Sequence, residues 1–127
     1  MNNKDIANEW FNFAENDLKS AKFLLQMKPQ PLEIICYHCQ QSAEKYLKGY
    51  IAFKGGELIK TNDLTLLNKV CIEYDGDFQV IMDDTIELID YGVHVRYPFH
   101  FELEEDDARK AIESAEKIQS FILNKVK

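Results

Sequence analysis

Apolar side chains recur at every third or fourth position along most of the chain, which is the period of an amphipathic helix. Four longer stretches show this period: residues 3–27, 31–54, 78–94 and the segment that follows the acids at 104–107. A shorter stretch begins near Asp63, where "TND" supplies residues typical of a helix N-cap. "KPQP" and "KGG" end the first two helices, because proline cannot continue a helix and glycine favours its end. No segment alternates with the period of two that a strand requires.

The apolar face of each predicted helix marks the side that we expect to be buried. In the first helix these positions are Ile6, Trp10, Phe13, Ala14, Leu18, Ala21 and Leu25. In the second helix they are Ile35, Cys39, Ser42, Ala43, Tyr46, Leu47 and Tyr50. In the fourth and fifth helices they are Ile81, Thr85, Leu88 and Ile89, and then Ala108, Ala111, Ile112, Ala115, Ile118 and Ile122. Short connections between such helices predict an all-α bundle of about five helices, its longer helices antiparallel, in one domain over residues 1–127.

The charge is uneven along the 127 residues. The net charge is −7; residues 1–64 carry eight basic and eight acidic side chains, whereas residues 65–127 carry seven and fourteen. An acidic chain argues against a nucleic-acid surface and suits a basic protein partner. No apolar run approaches the roughly 20 residues of a membrane span. The first ten residues lack the pattern of a signal peptide, so we expect a cytoplasmic protein.

Three cysteines raise the question of a metal or redox site. Cys36 and Cys39 form a Cys-x-x-Cys pair, with Cys71 further along. A structural zinc site needs two more ligands, usually in a second such pair, and a redox motif should open a helix after a strand. Neither context is present, so the sequence favours reduced, buried thiols with no metal and no cofactor.

The polar face of the second predicted helix is a candidate site. Gln41, Glu44 and Lys48 follow at steps of three and four, beside the apolar face of the same helix. Glu44 and Lys48 have the spacing of a favourable pair worth about 0.2–0.5 kcal/mol on an exposed surface. Two interpretations remain open: a solvated helix face, or a polar groove that orients a ligand or a partner helix.

Several segments, taken in order, resemble one family. "FNFAENDLKSAKFLL" places Asp17 and Leu18 near the start, and "CYHCQQSAEKYLKGYIAFKG" is followed by "KTNDLTLL". "VRYP" and "DARKAIESAEKIQSFI" complete the last third. In order and spacing these segments resemble the HEPN domain (higher eukaryotes and prokaryotes nucleotide-binding).

This resemblance implies an up-and-down bundle of four to five helices, frequent homodimers and pairing with a minimal nucleotidyltransferase. Some members of the family are metal-independent ribonucleases that act as toxins, whereas others have no known catalysis and bind nucleotides or serve as partner subunits. For a nucleotide-binding member, the candidates to hold phosphate and base are Lys48, Lys60, Tyr46 and Tyr50.

Two departures from the family pattern bear on catalysis. Asn62 stands where the family has histidine, and asparagine cannot exchange a proton. The ribonuclease motif of the family has an arginine and a histidine with a longer spacer than the three residues between Arg96 and His100. His100 could act as the base on a ribose hydroxyl and Arg96 could stabilise the phosphorane. Pro98 breaks a helix between them, so their side chains need not converge.

The alternative roles of these two residues are structural. Arg96 falls near the end of the fourth predicted helix, where a cation complements the helix dipole. His100 lies between two phenylalanines in "PFHFE". The sequence therefore favours a non-catalytic, homodimeric partner subunit for a nucleotidyltransferase, in a toxin–antitoxin-like pair. The alternatives are a metal-independent ribonuclease acting on RNA and a nucleotide-binding module.

Overall fold

The computed structural model describes residues 1–89, 91 and 103–127. Regular structure within these residues is helical throughout. The elements are α1 (Asn3–Leu24), α2 (Leu32–Phe53), α3 (Leu64–Tyr74), a 3₁₀ helix (Gly76–Ile81), α4 (Met82–Ile89) and α5 (Glu105–Lys125). The predicted all-α bundle is confirmed.

The helix starts follow from local capping. The side chain of Asn2 accepts from the backbone N–H of Asp5 at 2.9 Å, and the Asp5 carboxylate accepts in return from the N–H of Asn2. Asp63 caps α3 by accepting from the N–H of Thr65 at 3.0 Å, as "TND" predicts. At the start of α5 the carboxylate of Asp107 accepts from the backbone N–H of Glu104 at 2.8 Å. Such caps contribute about 1 kcal/mol each because they satisfy amides that the helix leaves without partners.

The predicted fourth helix, 78–94, differs from the structure at its start. Residues Gly76–Ile81 form a 3₁₀ helix, and α4 begins only at Met82. The side chain of Asp75 accepts from the N–H of Asp77 at 2.9 Å and so opens the tighter helix. The predicted end of this helix at 94 lies outside the described residues.

The order of contacts between helices sets the topology. Ser42 donates to the carbonyl of Ala14 at 2.8 Å, and the rings of Phe11 and Tyr46 stack with centroids 5.8 Å apart. The later residue of α2 contacts the earlier residue of α1, so these two helices are antiparallel, as predicted.

The last helix lies on the other side of α2. Gln119 donates to the hydroxyl of Tyr46 at 2.8 Å, and Asp107 lies close enough to Cys36 for its charge to act on the thiol. The later residue of α2, Tyr46, lies against the later residue of α5, Gln119, so α5 runs parallel to α2. Asp84 on α4 accepts from Ser114 on α5 at 3.1 Å, which ties the short fourth helix to the fifth.

The core is continuous from α1 to α5. Tyr50, Phe78 and Phe121 form an aromatic cluster with centroid distances of 4.4 and 4.9 Å. Burial of a large apolar side chain contributes roughly 1.5–3 kcal/mol. The predicted inner positions of α2 and α5 are all buried, and the alanines of α5 let that helix approach closely.

None of the helices in the described part of the chain has the length and apolarity to cross a membrane.

The predicted inner positions of the fourth helix are buried at Ile81, Thr85 and Leu88, but the prediction is wrong for Ile89, which is exposed.

The predicted inner face of α1 is wrong in its first half. Ile6 and Phe13 are exposed, whereas Ala7 and Phe11 are buried. Phe11 packs where α2 comes close at Gly49, since a Cβ added there would overlap the Phe11 ring. Neighbouring positions of a helix differ in direction by about 100°, so Phe11 is buried in this contact while Phe13 points away from it.

Candidate functional site

Glu44 and Lys48 form a nearly buried ion pair on α2. Lys48 Nζ donates to Glu44 Oε2 at 2.9 Å, and each side chain is only 11% exposed. The ammonium also lies 5.7 Å from the centre of the Trp10 ring on α1, in cation–π range. The pair is therefore shielded from water on both sides and is not the solvated helix pair that its spacing allows.

The second carboxylate oxygen of Glu44 is a further feature of this pair. Oε1 is buried, and no donor among the described residues reaches it. A buried acceptor without a hydrogen bond costs about 1–3 kcal/mol. The ion pair of Glu44 with Lys48 thus leaves one buried carboxylate oxygen without a hydrogen bond from the described residues.

Gln41 is joined to a residue that sequence reasoning missed. Gln41 donates to the side chain of Gln40 at 2.8 Å, and Gln40 donates to the carbonyl of Asn62 at 3.2 Å. Gln40 is buried and ties α2 to the connection that precedes α3. The sequence did offer a signal for Gln40: it stands four residues before Glu44, which places both side chains on the same face of α2. Asn62 is thus held at the polar side of α2, but through its backbone.

A cavity of about 260 Å³ lies beside Lys48. Its walls come from the start of α1, the end of α2 and the connection after α2; they are Asn3, Ile6, Trp10, Lys48, Ile51, Ala52, Gly56, Glu57, Leu58 and Ile59. Lys60 follows directly in sequence and is exposed. The cavity is mostly apolar, with one shielded ammonium and one aromatic ring.

The two tyrosines predicted to hold a base lie elsewhere. Tyr46 and Tyr50 are buried in the core, where Tyr46 stacks on Phe11 and Tyr50 packs on Phe78. Desolvation raises the pKa of both phenols. Neither side chain lines the cavity, so the aromatic residue beside Lys48 is Trp10.

A second polar cluster joins α1 to α2. Asp17 Oδ1 lies 2.9 Å from Nδ1 of His38, and Lys45 Nζ donates to Asp17 Oδ2 at 2.5 Å. An ionised carboxylate only accepts, so Nδ1 of His38 carries the hydrogen. The sequence could not predict the contact of His38 with Asp17, because these residues are 21 positions apart and meet only when α1 packs on α2. The cluster fastens the two longest helices at their polar edge.

The three cysteines are buried free thiols, as predicted. Desolvation raises the pKa of Cys36 and of Cys71 to about 12 and also raises that of Cys39. A thiol that stays protonated is a poor nucleophile and a poor metal ligand. No group of three or more metal-binding side chains occurs within the described ranges.

Arg96 and His100, the residues of the ribonuclease hypothesis, lie outside the described residues. The hypothesis that their side chains face one phosphate therefore stays a hypothesis from the sequence.

The described part of the chain defines a small helical-bundle domain with a shielded polar face on α2. The sequence profile of the HEPN domain matches residues 7–126, nearly the whole chain. The chain belongs to the HEPN domain family.

Two solved structures share this fold. An archaeal HEPN homologue, ST0689, is 22% identical, with a TM-score of 0.71 over 95% of this chain and 98% of that one. TT1696 from Thermus thermophilus is 24% identical, with a TM-score of 0.80 over 94% of this chain and 97% of that one. No curated protein matches the sequence.

Proposed function

We propose that this HEPN domain protein is a non-catalytic, homodimeric partner subunit for a minimal nucleotidyltransferase, in a toxin–antitoxin-like pair. The observation that carries the proposal is the exposure of large apolar side chains on the outer faces of α1 and α4, including Phe13, Phe23 and Ile86. Exposed apolar patches mark surfaces that bind other proteins. The class of partner comes from the family resemblance.

The face of α4 suits a partner of opposite charge. Met82, Ile86 and Ile89 are exposed at steps of four and three, which makes one outward stripe. Asp83 and Glu87 lie on the same short helix, which carries no basic residue within Met82–Ile89. An apolar stripe among acids fits a basic, amphipathic segment of the nucleotidyltransferase.

The polar residues of α2 support a structural role. Lys48 is bonded to Glu44, and Gln41 is bonded to Gln40. Side chains that hold one another are less available to a substrate. Asn62, where the family has histidine, offers no proton-transfer group.

Co-expression tests the proposal. The tagged chain and the nucleotidyltransferase from the same genome should elute together in gel filtration, and Ile86→Glu should abolish the complex. Val80→Glu is the matched control, because Val80 is also exposed and apolar but precedes α4. Separate elution of the wild-type proteins contradicts the partner assignment.

The alternative function is a metal-independent ribonuclease that uses Arg96 and His100. Purified protein should leave RNA intact in the presence of EDTA if the main proposal holds. Cleavage that Arg96→Ala and His100→Ala both abolish would replace the main proposal with this one.

A second candidate, nucleotide binding, is favoured by the cavity beside Lys48. The size and apolar walls of the cavity suit part of a nucleotide base, and the ring of Trp10 could stack on that base. Lys60, which follows the lining residue Ile59 in sequence, could bind the phosphate. Calorimetric titration with ATP and GTP should give saturable heat that Trp10→Ala removes and Lys60→Ala weakens. Lys69→Ala, at an exposed lysine of α3, is the control. Absence of heat in the wild-type protein rules this candidate out.

A further inference from the structure

The cavity beside Lys48 has a wall that is fixed by packing. The backbone N–H of Gly56 donates to the carbonyl of Ile51 at 2.9 Å, so the chain folds back on the end of α2. A Cβ added at Gly56 would lie 2.7 Å from Ile51 Cγ2, which leaves no room for a side chain at this point. Ile51 is buried, and Ile59 packs partly buried against the core. The connection after α2 is thus held against the helix, and the cavity that it closes is part of the fold.

The volume of the cavity limits its occupant to about one ring. The cavity measures about 260 Å³. An apolar cavity of ~150 Å³ is large enough for benzene, whereas pockets for larger ligands begin near ~300 Å³. The occupant that fits is therefore larger than benzene alone and smaller than a ring that carries a sugar and phosphates.

The lining of the cavity favours a flat, apolar body with one polar group. Aliphatic side chains form the largest part of the lining, and Trp10 adds an aromatic ring. The polar side chains of the lining are those of Asn3, Lys48 and Glu57. Ligand pockets combine apolar walls of this kind with a small number of polar groups that fix the orientation of the ligand.

Lys48 is the best shielded of these polar groups. Its side chain is 11% exposed, whereas Asn3 and Glu57 are exposed residues. A lysine ammonium has three N–H donors. In the part of the chain that the structure describes, Glu44 Oε2 accepts from one of them, which leaves two for an acceptor on the occupant. A hydrogen bond made in such a shielded place is stronger than one made in water.

The charges around Lys48 favour an uncharged occupant. Glu44 lies 2.9 Å from the ammonium and offsets its charge, and Glu57 adds a second carboxylate to the lining. A ligand carboxylate bound to Lys48 would lie close to Glu44, where like charges repel more strongly than in water. A ligand cation would lie beside the ammonium itself. A carbonyl oxygen accepts a hydrogen bond without adding a charge.

We propose that the cavity beside Lys48 binds an uncharged compound of one aromatic ring that carries a carbonyl group, as aryl amides do. The carbonyl oxygen accepts from Lys48, and the ring packs on Trp10 and the aliphatic walls. This site goes beyond the partner subunit of the proposed function and does not depend on it. The same chemistry occurs in a free aryl amide and in the carbonyl-bearing base of a nucleotide, and the volume of the cavity favours the free compound.

Three probes of similar shape test the class of ligand. Benzamide is uncharged, benzoate is an anion and benzylamine is a cation at pH 7. Trp10 is the only tryptophan of the chain, so the NMR signal of its indole N–H reports on the cavity. Benzamide should shift this signal saturably, with a Kd on the order of 1 mM for a ligand of this size. Benzoate and benzylamine should bind at least ~10-fold more weakly, because each adds a charge.

The contrary results of these titrations are distinct. The absence of a saturable shift with benzamide overturns the proposal. Tighter binding of benzoate or of benzylamine overturns the assignment of an uncharged ligand, since the charge of Lys48 or of Glu57 would then control the site.

Two variants locate the bound ring. Ala52→Phe fills the cavity and should abolish the shift, whereas Ser20→Phe, at an exposed position of α1 far from the cavity in sequence, should leave it unchanged. Glu44→Gln/Lys48→Met removes the donor together with its partner charge and should weaken benzamide binding by ~10-fold. Circular dichroism checks that each variant keeps its helices. Wild-type affinity in either the Ala52→Phe or the double variant overturns the site.

Titration with uridine monophosphate distinguishes the two sources of the ligand. Binding of benzamide without binding of the nucleotide supports the free compound and rules out this nucleotide as the occupant. Competition between the two for the same shift supports the shared chemistry, with the base in the cavity. Binding of the nucleotide without binding of benzamide overturns this inference and leaves the nucleotide-binding candidate standing. Failure of the partner assignment is detected separately, by co-elution.

Discussion

Lys48 and Glu44 bond at 2.9 Å in a setting where each side chain is 11% exposed, so α2 carries a shielded ion pair on the face that borders the cavity. Removal of one partner from such a pair leaves a buried charge without compensation. The loss of unfolding free energy when one partner is replaced is therefore large for a shielded pair and small for a solvated one.

We expect Lys48→Met to lower the free energy of unfolding by about 3–5 kcal/mol, because Glu44 then stays buried and charged. Glu44→Gln/Lys48→Met should recover much of that loss, since both charges are gone. Urea denaturation at neutral pH measures both values. Lys60→Met, at an exposed lysine, is the control and should change stability by no more than ~0.5 kcal/mol. A small effect of Lys48→Met would mean that water reaches the pair.

Gly49→Ala should destabilise the fold by about 1–3 kcal/mol, because the added methyl group overlaps the ring of Phe11 where α1 and α2 approach. Gly76→Ala is the matched control: an added Cβ there meets nothing within 4 Å. Thermal unfolding of both variants should show a lower melting temperature for Gly49→Ala alone. Equal stability of the two would contradict the close helix approach.

The ion pair between Asp75 and Lys125 should make stability depend on acid pH. Hydrogen bonding to Lys125 lowers the pKa of Asp75 from its ordinary 3.8. The folded state therefore holds the charged form more strongly than the unfolded chain does. The stabilisation is complete above the ordinary carboxyl range and is lost as the pH falls through the lowered pKa.

Asp75→Asn should accordingly be less stable than the wild-type protein at pH 7, with a difference that shrinks as the pH falls below 3.8. Lys125→Met should show a pH dependence in the same direction, because it removes this pair together with the pair between Lys125 and Asp77. Urea unfolding across this range measures both. The pair is partly exposed, so added salt should reduce the difference as well. A difference that grows with acid would contradict the assignment.

The native protein should be inert to thiol reagents at pH 8. Cys36, Cys39 and Cys71 are buried, and burial raises the pKa of each thiol. Ellman's reagent should titrate no thiol in buffer and all three in denaturant. Fast labelling of one thiol in the native state would show that its helix opens readily.

Local periodicity was sufficient for most of the helices. Every position predicted to be inner in α2 and α5 is buried, because each of these helices has one broad apolar face. The cap at Asp63 was also readable, since it depends on residues next to one another in sequence. The 3₁₀ start before α4 was missed, because Asp75 changes the hydrogen bonding of only one turn.

The helical spacing of Gln41, Glu44 and Lys48 singled them out as one polar face of α2. Sequence could not show that the pair is shielded, because Trp10 covers Lys48 from another helix. The contact of Asp17 with His38 was hidden for the same reason. Tyr46 and Tyr50 fitted both a core and a ligand site by pattern, and burial placed them in the core.

By itself, the sequence determined the number and approximate span of the helices, the buried faces of α2 and α5, and membership of the HEPN domain family, since these depend on periodicity, capping and motif order. Tertiary structure decided the rotation of α1. The first half of that helix carries apolar side chains on two sides, and in the structure Phe11 is buried against Gly49 of α2 while Phe13 is exposed. The same rotation leaves Phe13 and Phe23 outside and brings Trp10 over Lys48. Contacts between helices depend on side-chain volume at the crossing, which a pattern along one helix does not contain.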